Sequence, residues 1–550
     1  MSLPLELPDS RQTAQPRLPN PAPRRKSGLR LGVALPAFGI MGLLLFFAFV
    51  FPDASADALA AARVGVIDSL GWYYVLAVAL FAIFALWVGF SRFGTIRLGR
   101  DGEAPQFSTG SWISLLFASG MGIGLVFWGV AEPLNHYASP RPGTADVPAA
   151  MAQDALTRTF LHWGIHAWSV YAVVGLAVAY AIHRKGRPIS LRWTLEPLLG
   201  RRVKGKWGDA IDVIALVGTV FGIATSLGFG VLQISSGLDS ANIAQATEST
   251  QIGLVFCLMT VALVSVLSGV ERGMKWLSNG NLILAGVILL FVLFTGPTLF
   301  VLRTFVHTTG NYFQNIISMS TQTLAFDGAA GADWQATWTT FYWGWWIAWA
   351  PFVGVFIAQI SRGRTVREFA LGVLLVPAGI ALLWFSVMGG TALHREMFGE
   401  GGLIEENGSV NSANALFGML DALPGGPALT VGAIVLISAF FITSANSAAV
   451  VMSVISTGGG QESPRWVRAF WVALIAVIGT ALLLVGTDGL RTIQTAAILI
   501  SVPFSLIMLL MCASTWKAFR DEFRPQINPP EPVAVELAAS AEQPADQDPN

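Results

Sequence analysis

The chain has 550 residues, 54% of them hydrophobic and only 12% charged, with a formal net charge of zero. Soluble domains run near about 25% charged, so this chain cannot cover a water-facing surface and is expected to be a polytopic membrane protein. The charge balance argues against nucleic acid as a partner, and the apolar runs are too long for the strands of an outer-membrane barrel.

In chain order, residues 1–30 form a Pro- and Arg-rich tail. Arg24, Arg25 and Lys26 precede an apolar run of full spanning length, so the start does not read as a cleaved signal. Twelve helices are expected, near 31–51, 70–92, 111–135, 160–182, 210–238, 251–270, 281–303, 333–361, 366–391, 427–456, 466–486 and 491–516. Each is long enough to cross a hydrocarbon core of ~30 Å. The mixed stretch 304–327 suits an external helix lying in the interface. The acidic, Pro-rich end 525–550 reads as disordered. Cys257 and Cys512 both lie in apolar runs and are expected to be buried, which excludes a disulfide framework.

The loops orient the chain. Basic clusters such as Arg97/Arg100, Arg184/Lys185, Arg362/Arg364 and Lys517/Arg520 alternate with loops that are acidic or nearly uncharged. The positive-inside rule then places both termini in the cytoplasm of a cell (inner) membrane protein. Six units follow: a tail at 1–30, two helices and a linker at 31–110, five helices at 111–303, the interfacial stretch at 304–332, five helices at 333–516, and a tail at 517–550. Two five-helix units of similar length, starting on opposite sides of the membrane, have the arithmetic of an inverted repeat.

Polar and small residues inside the spans mark candidate sites. Ala118-Ser119-Gly120-Met121-Gly122-Ile123-Gly124 either packs closely against another helix or unwinds so that its carbonyls and amides meet ions and a carboxylate. Trp163, Trp168 and Tyr171 share one broad helical face. The helix near 333–361 carries Trp338, Tyr342, Trp345, Trp346, Trp349 and Phe352 well inside its ends, where aromatic belts do not belong. Two such walls either form ordinary core or make a cage for a quaternary ammonium or sulfonium. Thr443 and Ser444 offer oxygens to Na⁺ or bond to their own helix. His162 and His166 are expected to be structural, Glu132 to take a structural or rim role, and Arg362 to Glu368 to anchor the cytoplasmic side. No nucleotide-binding, triad or zinc-ligand spacing stands out, so no enzyme activity and no cofactor are expected.

The run Phe341-Tyr342-Trp343-Gly344-Trp345-Trp346-Ile347-Ala348-Trp349-Ala350-Pro351-Phe352 with Ile360-Ser361-Arg362-Gly363-Arg364-Thr365 closely resembles the signature of the betaine/carnitine/choline transporter family. So do Val126-Phe127-Trp128-Gly129-Val130-Ala131-Glu132-Pro133 and His162-Trp163-Gly164-Ile165-His166-Ala167-Trp168. The resemblance implies an all-α, LeuT-like fold, with helices three to seven and eight to twelve as the 5+5 inverted repeat, assembled as a homotrimer. It implies an onium box at Trp163, Trp168, Tyr171 and Trp346, a pathway along Trp345, Trp349 and Phe352, and substrate contacts at Ser119, Gly120, Gly122 and Gly124. It implies a sodium site at the carbonyls of Ala118, Met121 and Phe440 and the hydroxyls of Thr443 and Ser444. A second sodium would involve Thr225 and Ser226. Choline-type members tend to carry an acidic residue where this chain has Gly124, and sodium-independent exchangers lack the hydroxyl pair. The expectation is therefore Na⁺ symport of glycine betaine or a close analogue such as dimethylsulfoniopropionate. The alternatives are an ion-independent antiporter, a choline or carnitine carrier, or a membrane sensor on the same fold. Asn446, where Asp is common, and Gln359, where Arg is usual, depart from the family pattern.

Overall fold

A computed structural model describes residues 28–120, 122–268, 271–460, 463–484 and 489–523, with the backbone alone described at 117–120, 271–276, 484, 489–490 and 493. Residues 1–27 and 524–550 of the two expected tails and the site residue Met121 lie outside the described residues, as do the side chains of Ala118 and Ser119. The helices are α1 Leu31–Val50, α2 Pro52–Phe90, α3 Thr109–Gly120, α4 Ile123–Ala138, α5 Pro148–Trp163 and α6 Ile165–Ala179. Then come α7 Glu196–Leu199, α8 Lys206–Ser240, α9 Glu248–Ser268, α10 Glu271–Thr295, α11 Thr298–Ser320 and α12 Gly328–Gln335. The chain finishes with α13 Phe341–Ile360, α14 Val366–Phe398, α15 Ala415–Asp421, α16 Gly426–Ser456, α17 Arg465–Leu484 and α18 Gly489–Glu522.

Among the described residues, 11 helical segments are long and apolar enough to cross a membrane. The chain is an all-α polytopic membrane protein. The expected third helix is not among those segments because it is divided into α3 and α4, of 12 and 16 residues. Two segments are composite: α5 and α6 run through Gly164 into a π turn at Tyr180–Arg184, and α12 runs into α13 through a π turn at Ala336–Thr340.

Burial sorts the helices into a centre and a periphery. Every residue of α6 is buried, as is every residue of α13 except Phe356 and Gln359. On α1 only Val33, Ala34, Ala37 and Met41 are buried. Lipid tails are as apolar as Leu, so hydrophobicity cannot decide which helix goes inside; close packing through small residues does. Gly175 on α6 and Gly354 on α13 meet in this way. A Cβ at Gly354 would lie 2.5 Å from Val174 Cγ1 and 3.0 Å from the Gly175 nitrogen.

At one end of the bundle the loops around 92–107 and 361–365 are pinned together. Arg97 Nη1 donates to the carbonyls of Glu103 and Gly363, and Arg362 pairs with Glu103 at 2.6 Å. The backbone N–H of Arg100, and after it the Arg362 guanidinium, holds the Glu103 carboxyl below its usual range. Thr365 and Glu368 form a capping box at the start of α14. Nearby, Glu522 at the end of α18 binds Arg184 and Lys185.

Several boundaries differ from expectation. The second helix starts at Pro52, so Asp53 and Asp57 are exposed residues of α2 and not of a loop. Proline is well placed at a first helical turn, and the Ala-rich run after it continues the helix. The seventh helix ends at Thr295 because Gly296-Pro297 interrupts it, and α11 already begins at Thr298. The last helix continues to Glu522. Cys257 is exposed and Cys512 half-buried, contrary to the expectation of two buried thiols. Cys257 lies on α9, a peripheral helix whose outward face is as apolar as its inner one.

Candidate functional site

Two helix breaks meet the centre of the bundle. The α3–α4 break falls at the glycine stretch, where Gly122 stands at the N-cap position of α4 without a side-chain cap. The Leu125 amide bonds the Gly122 carbonyl at 3.1 Å, and no side chain caps the amides before it. The second break, at Gly164, separates Trp163 from Trp168, so a continuous helical wheel does not relate the two. A Cβ at Gly164 would lie 2.5 Å from the Phe160 carbonyl and 2.8 Å from Tyr312 Oη. The expected interfacial stretch braces this break from α11: Tyr312 Oη accepts from the Ile165 amide at 3.2 Å, and Ser320 bonds His166 at 2.7 Å.

The aromatic residues singled out in the sequence come together here. Trp163 and Trp346 lie 4.9 Å apart edge to face, Tyr171 and Trp346 5.9 Å, and Trp168 and Tyr171 5.5 Å. Trp345 stacks on Trp346 at 4.8 Å. Trp349 and Phe352 continue the row along α13, 5.7 Å from each other. All seven rings are buried. Trp349 Nε1 donates to the Gly222 carbonyl of α8, and Trp346 Nε1 donates to the His162 carbonyl at 2.9 Å. Two buried donors of the cluster, Tyr171 Oη and Trp345 Nε1, have no hydrogen-bond partner among the described residues.

Glu132 is not at a rim. It is fully buried, and both of its oxygens are used. Trp163 Nε1 donates to Oε2 at 2.7 Å, as does the Tyr342 hydroxyl at 2.5 Å. His162 Nδ1 and His136 Nε2 contact Oε1 at 2.7 and 3.3 Å. An ionised carboxylate only accepts, so the two nitrogens facing it carry protons, and His162 Nε2 shares a hydrogen bond with the Thr339 hydroxyl at 3.0 Å. The three possible metal-ligand atoms of Glu132, His136 and His162 lie within 4.8 Å of one another. Each of these atoms is already engaged in a hydrogen bond, while His136 Nδ1, on the far side of its ring, is buried without a partner among the described residues. The signal for Glu132 was present: an ionisable residue inside a span is a functional candidate by default. Tyr342 was counted on the aromatic face but not singled out.

The hydroxyl pair sits beside the α3–α4 break. A Cβ built on Gly122 would come 3.6 Å from Ser444 Oγ. Thr443 Oγ1 donates to the carbonyls of Ala439 and Phe440 at 2.9 and 3.0 Å, which leaves its lone pairs for a cation. Oxygen donors of this type fit a hard cation. Thr225 and Ser226 are buried on α8, where each hydroxyl donates along its own helix. Asn446 Nδ2 donates to Ser265 on α9 at 2.9 Å, and Gln359 is half-buried near the end of α13.

The profile of betaine/carnitine/choline family transporters matches residues 32–524. An uncharacterized transporter of Mycobacterium tuberculosis is 46% identical over 494 residues, 88% of this chain and 82% of that protein. The glycine betaine transporter OpuD of Bacillus subtilis is 41% identical over 486 residues, 88% of this chain and 93% of that protein. A glycine betaine transporter of Acinetobacter baylyi is 40% identical over 504 residues, 92% of this chain and 75% of that protein.

Proposed function

The chain belongs to the betaine/carnitine/choline family of transporters, and we propose that it imports a zwitterionic onium solute, glycine betaine or a close analogue such as dimethylsulfoniopropionate, by Na⁺ symport. The observation that carries this reading is the contact between Trp163 and Trp346, from different helices, with Trp345 reaching the glycine stretch. Rings of this kind attract a trimethylammonium or dimethylsulfonium head electrostatically, each contributing roughly 0.5–2 kcal/mol. The uncapped start of α4 offers amides and a partial positive charge to the substrate carboxylate. The names of the Bacillus and Acinetobacter relatives support the same substrate class.

Gly124 argues for a zwitterion over choline. A Cβ there would lie 3.1 Å from Trp163 Cη2 and 3.2 Å from Trp345 Cζ2. An acidic side chain to neutralise a cationic substrate has no room at this position. Na⁺ would be held by Thr443, Ser444 and the carbonyls of Ala118, Met121 and Phe440. Each Na⁺ crossing ~100 mV contributes about 2.3 kcal/mol, or about 40-fold accumulation of a substrate that carries no net charge.

The basic loops around Arg97 and Arg362 then face the cytoplasm, and both termini lie there. The LeuT-like inverted repeat and a homotrimer in the inner membrane belong to the same reading. On α11, Val306, Phe313 and Ile317 project outward and are 71%, 52% and 81% exposed, which suits contact with a neighbouring protomer or lipid. The test of substrate class is competition against labelled glycine betaine uptake in proteoliposomes. Dimethylsulfoniopropionate should compete more strongly than choline or carnitine, and preferential inhibition by choline would contradict the assignment.

A further inference from the structure

Glu132 does something in this site that a packing residue would not require. Its two oxygens receive an indole N–H, a phenol O–H and two imidazole nitrogens, and none of these partners is a Lys or Arg. Two walls of the aromatic cluster hang from it. Trp163 is bonded directly. Trp346 is bonded to the carbonyl of His162, whose ring nitrogen in turn holds Glu132. The groups facing the carboxylate come from α4 (His136), α5 (His162, Trp163) and α13 (Tyr342), so three helices around the cluster are tied to one charge. The His162 ring also stacks on Tyr342 at 4.7 Å, which fixes the imidazole beneath the carboxylate.

We propose that Glu132 is the positioning residue that makes the box selective for a positively charged head group. Two physical effects converge. An anion accepting from the Trp163 indole N–H and the Tyr342 hydroxyl polarises both rings toward greater electron density on their faces, and hydrogen bonds in a low dielectric polarise strongly. Those faces are what attract an onium. The carboxylate also acts on a cation across the ring, where low dielectric weakens screening. A head group of the same shape without charge gains from neither effect. It would keep only the packing and desolvation terms supplied by the rings.

This inference rests on the reading that the onium head sits among Trp163, Tyr171 and Trp346, and the experiment separates the two. The probe is 3,3-dimethylbutanoate, which replaces the quaternary nitrogen of glycine betaine with carbon and keeps its shape and carboxylate. Inhibition constants of unlabelled glycine betaine and of 3,3-dimethylbutanoate against labelled glycine betaine are measured in proteoliposomes for wild type, Glu132→Gln, Tyr342→Phe and Trp346→Ala. Wild type is expected to prefer the onium. Glu132→Gln, which keeps size and one acceptor, should shrink that preference about tenfold, the ratio equivalent to about 1.4 kcal/mol. Tyr342→Phe, which removes one donor and keeps the charge, should shrink it by a smaller factor and supplies the answer if Glu132→Gln does not fold. Equal loss for both compounds, or an unchanged ratio in both variants, overturns the role of Glu132 as more than a structural brace. A wild type that does not discriminate the pair, together with a Trp346→Ala variant that inhibits and transports like wild type, overturns the box itself.

Discussion

Gly124 and Trp345 are in contact across α4 and α13, with no room between them for a Cβ: such an atom would stand 3.2 Å from Trp345 Cζ2 and closer still to Cη2. The indole it would strike stacks on Trp346 and cannot retreat without moving the second ring. Gly124→Ala is therefore expected to lower glycine betaine affinity at least several-fold, and Gly124→Asp to abolish uptake. Overpacking of this kind costs about 1–3 kcal/mol. Binding calorimetry on the purified variants checks it, and wild-type affinity in Gly124→Ala would show that the two helices separate at this point when substrate enters.

Trp346 contributes a ring face to Trp163 and Tyr171 and an N–H to the His162 carbonyl. Trp346→Ala removes both and should weaken binding by about 30-fold, the equivalent of about 2 kcal/mol for a desolvated cation–π contact. Trp346→Phe keeps a ring and should lose less. Tryptophan fluorescence titration gives the constants, and equal affinity in wild type and Trp346→Ala would remove this residue from the box.

Thr443 and Ser444 adjoin the divided helix. Replacing both with Ala removes two oxygen ligands, so the Na⁺ concentration for half-maximal uptake should rise at least tenfold. Glycine betaine affinity should fall with it, because coupling between two ligands is reciprocal. Initial rates over a Na⁺ series test this; an unchanged Na⁺ dependence in the double variant places the ion elsewhere.

Gly354 packs against Val174 and Gly175 where α6 and α13 approach most closely. Gly354→Val forces the two central helices apart and is expected to destabilise the protein by about 1–3 kcal/mol. A thermal-unfolding series in detergent should show a clear drop in midpoint relative to Gly379→Ala on α14, where nothing lies within 4 Å of the added carbon.

Much of the site was legible in the sequence because tryptophan inside a span is conspicuous. Trp163, Tyr171, Trp345 and Trp346 could be singled out on position alone, and the structure brings them into contact. The division of the third helix was foreshadowed by Gly120, Gly122 and Gly124. Gly164 is harder to see: a single glycine in an apolar run usually continues a helix, and here the Phe160 carbonyl and Tyr312, the latter about 150 residues away in sequence, fill the space a side chain would need. The rim half of the expectation for Glu132 fails for a similar reason. Beside Pro133 and near a helix end it looked like a rim residue, whereas α5 and α13 close over it and supply its donors. Hydropathy also runs smoothly across Gly296-Pro297, so the sequence pattern carries the seventh helix past Thr298, where α11 begins. Local pattern reports what a segment prefers, and these residues are decided by which distant segment lies against them.

Sodium-driven import of a zwitterionic onium is the central claim, and its most direct test is labelled glycine betaine uptake into proteoliposomes holding the purified protein. An inward Na⁺ gradient is compared with an equal K⁺ gradient, each with and without an inside-negative potential. The account predicts accumulation above the external concentration only with Na⁺, increased by the potential because Na⁺ is the only net charge that moves. Equal uptake in Na⁺ and K⁺, or uptake that needs a preloaded internal substrate and ignores both ions, would contradict it.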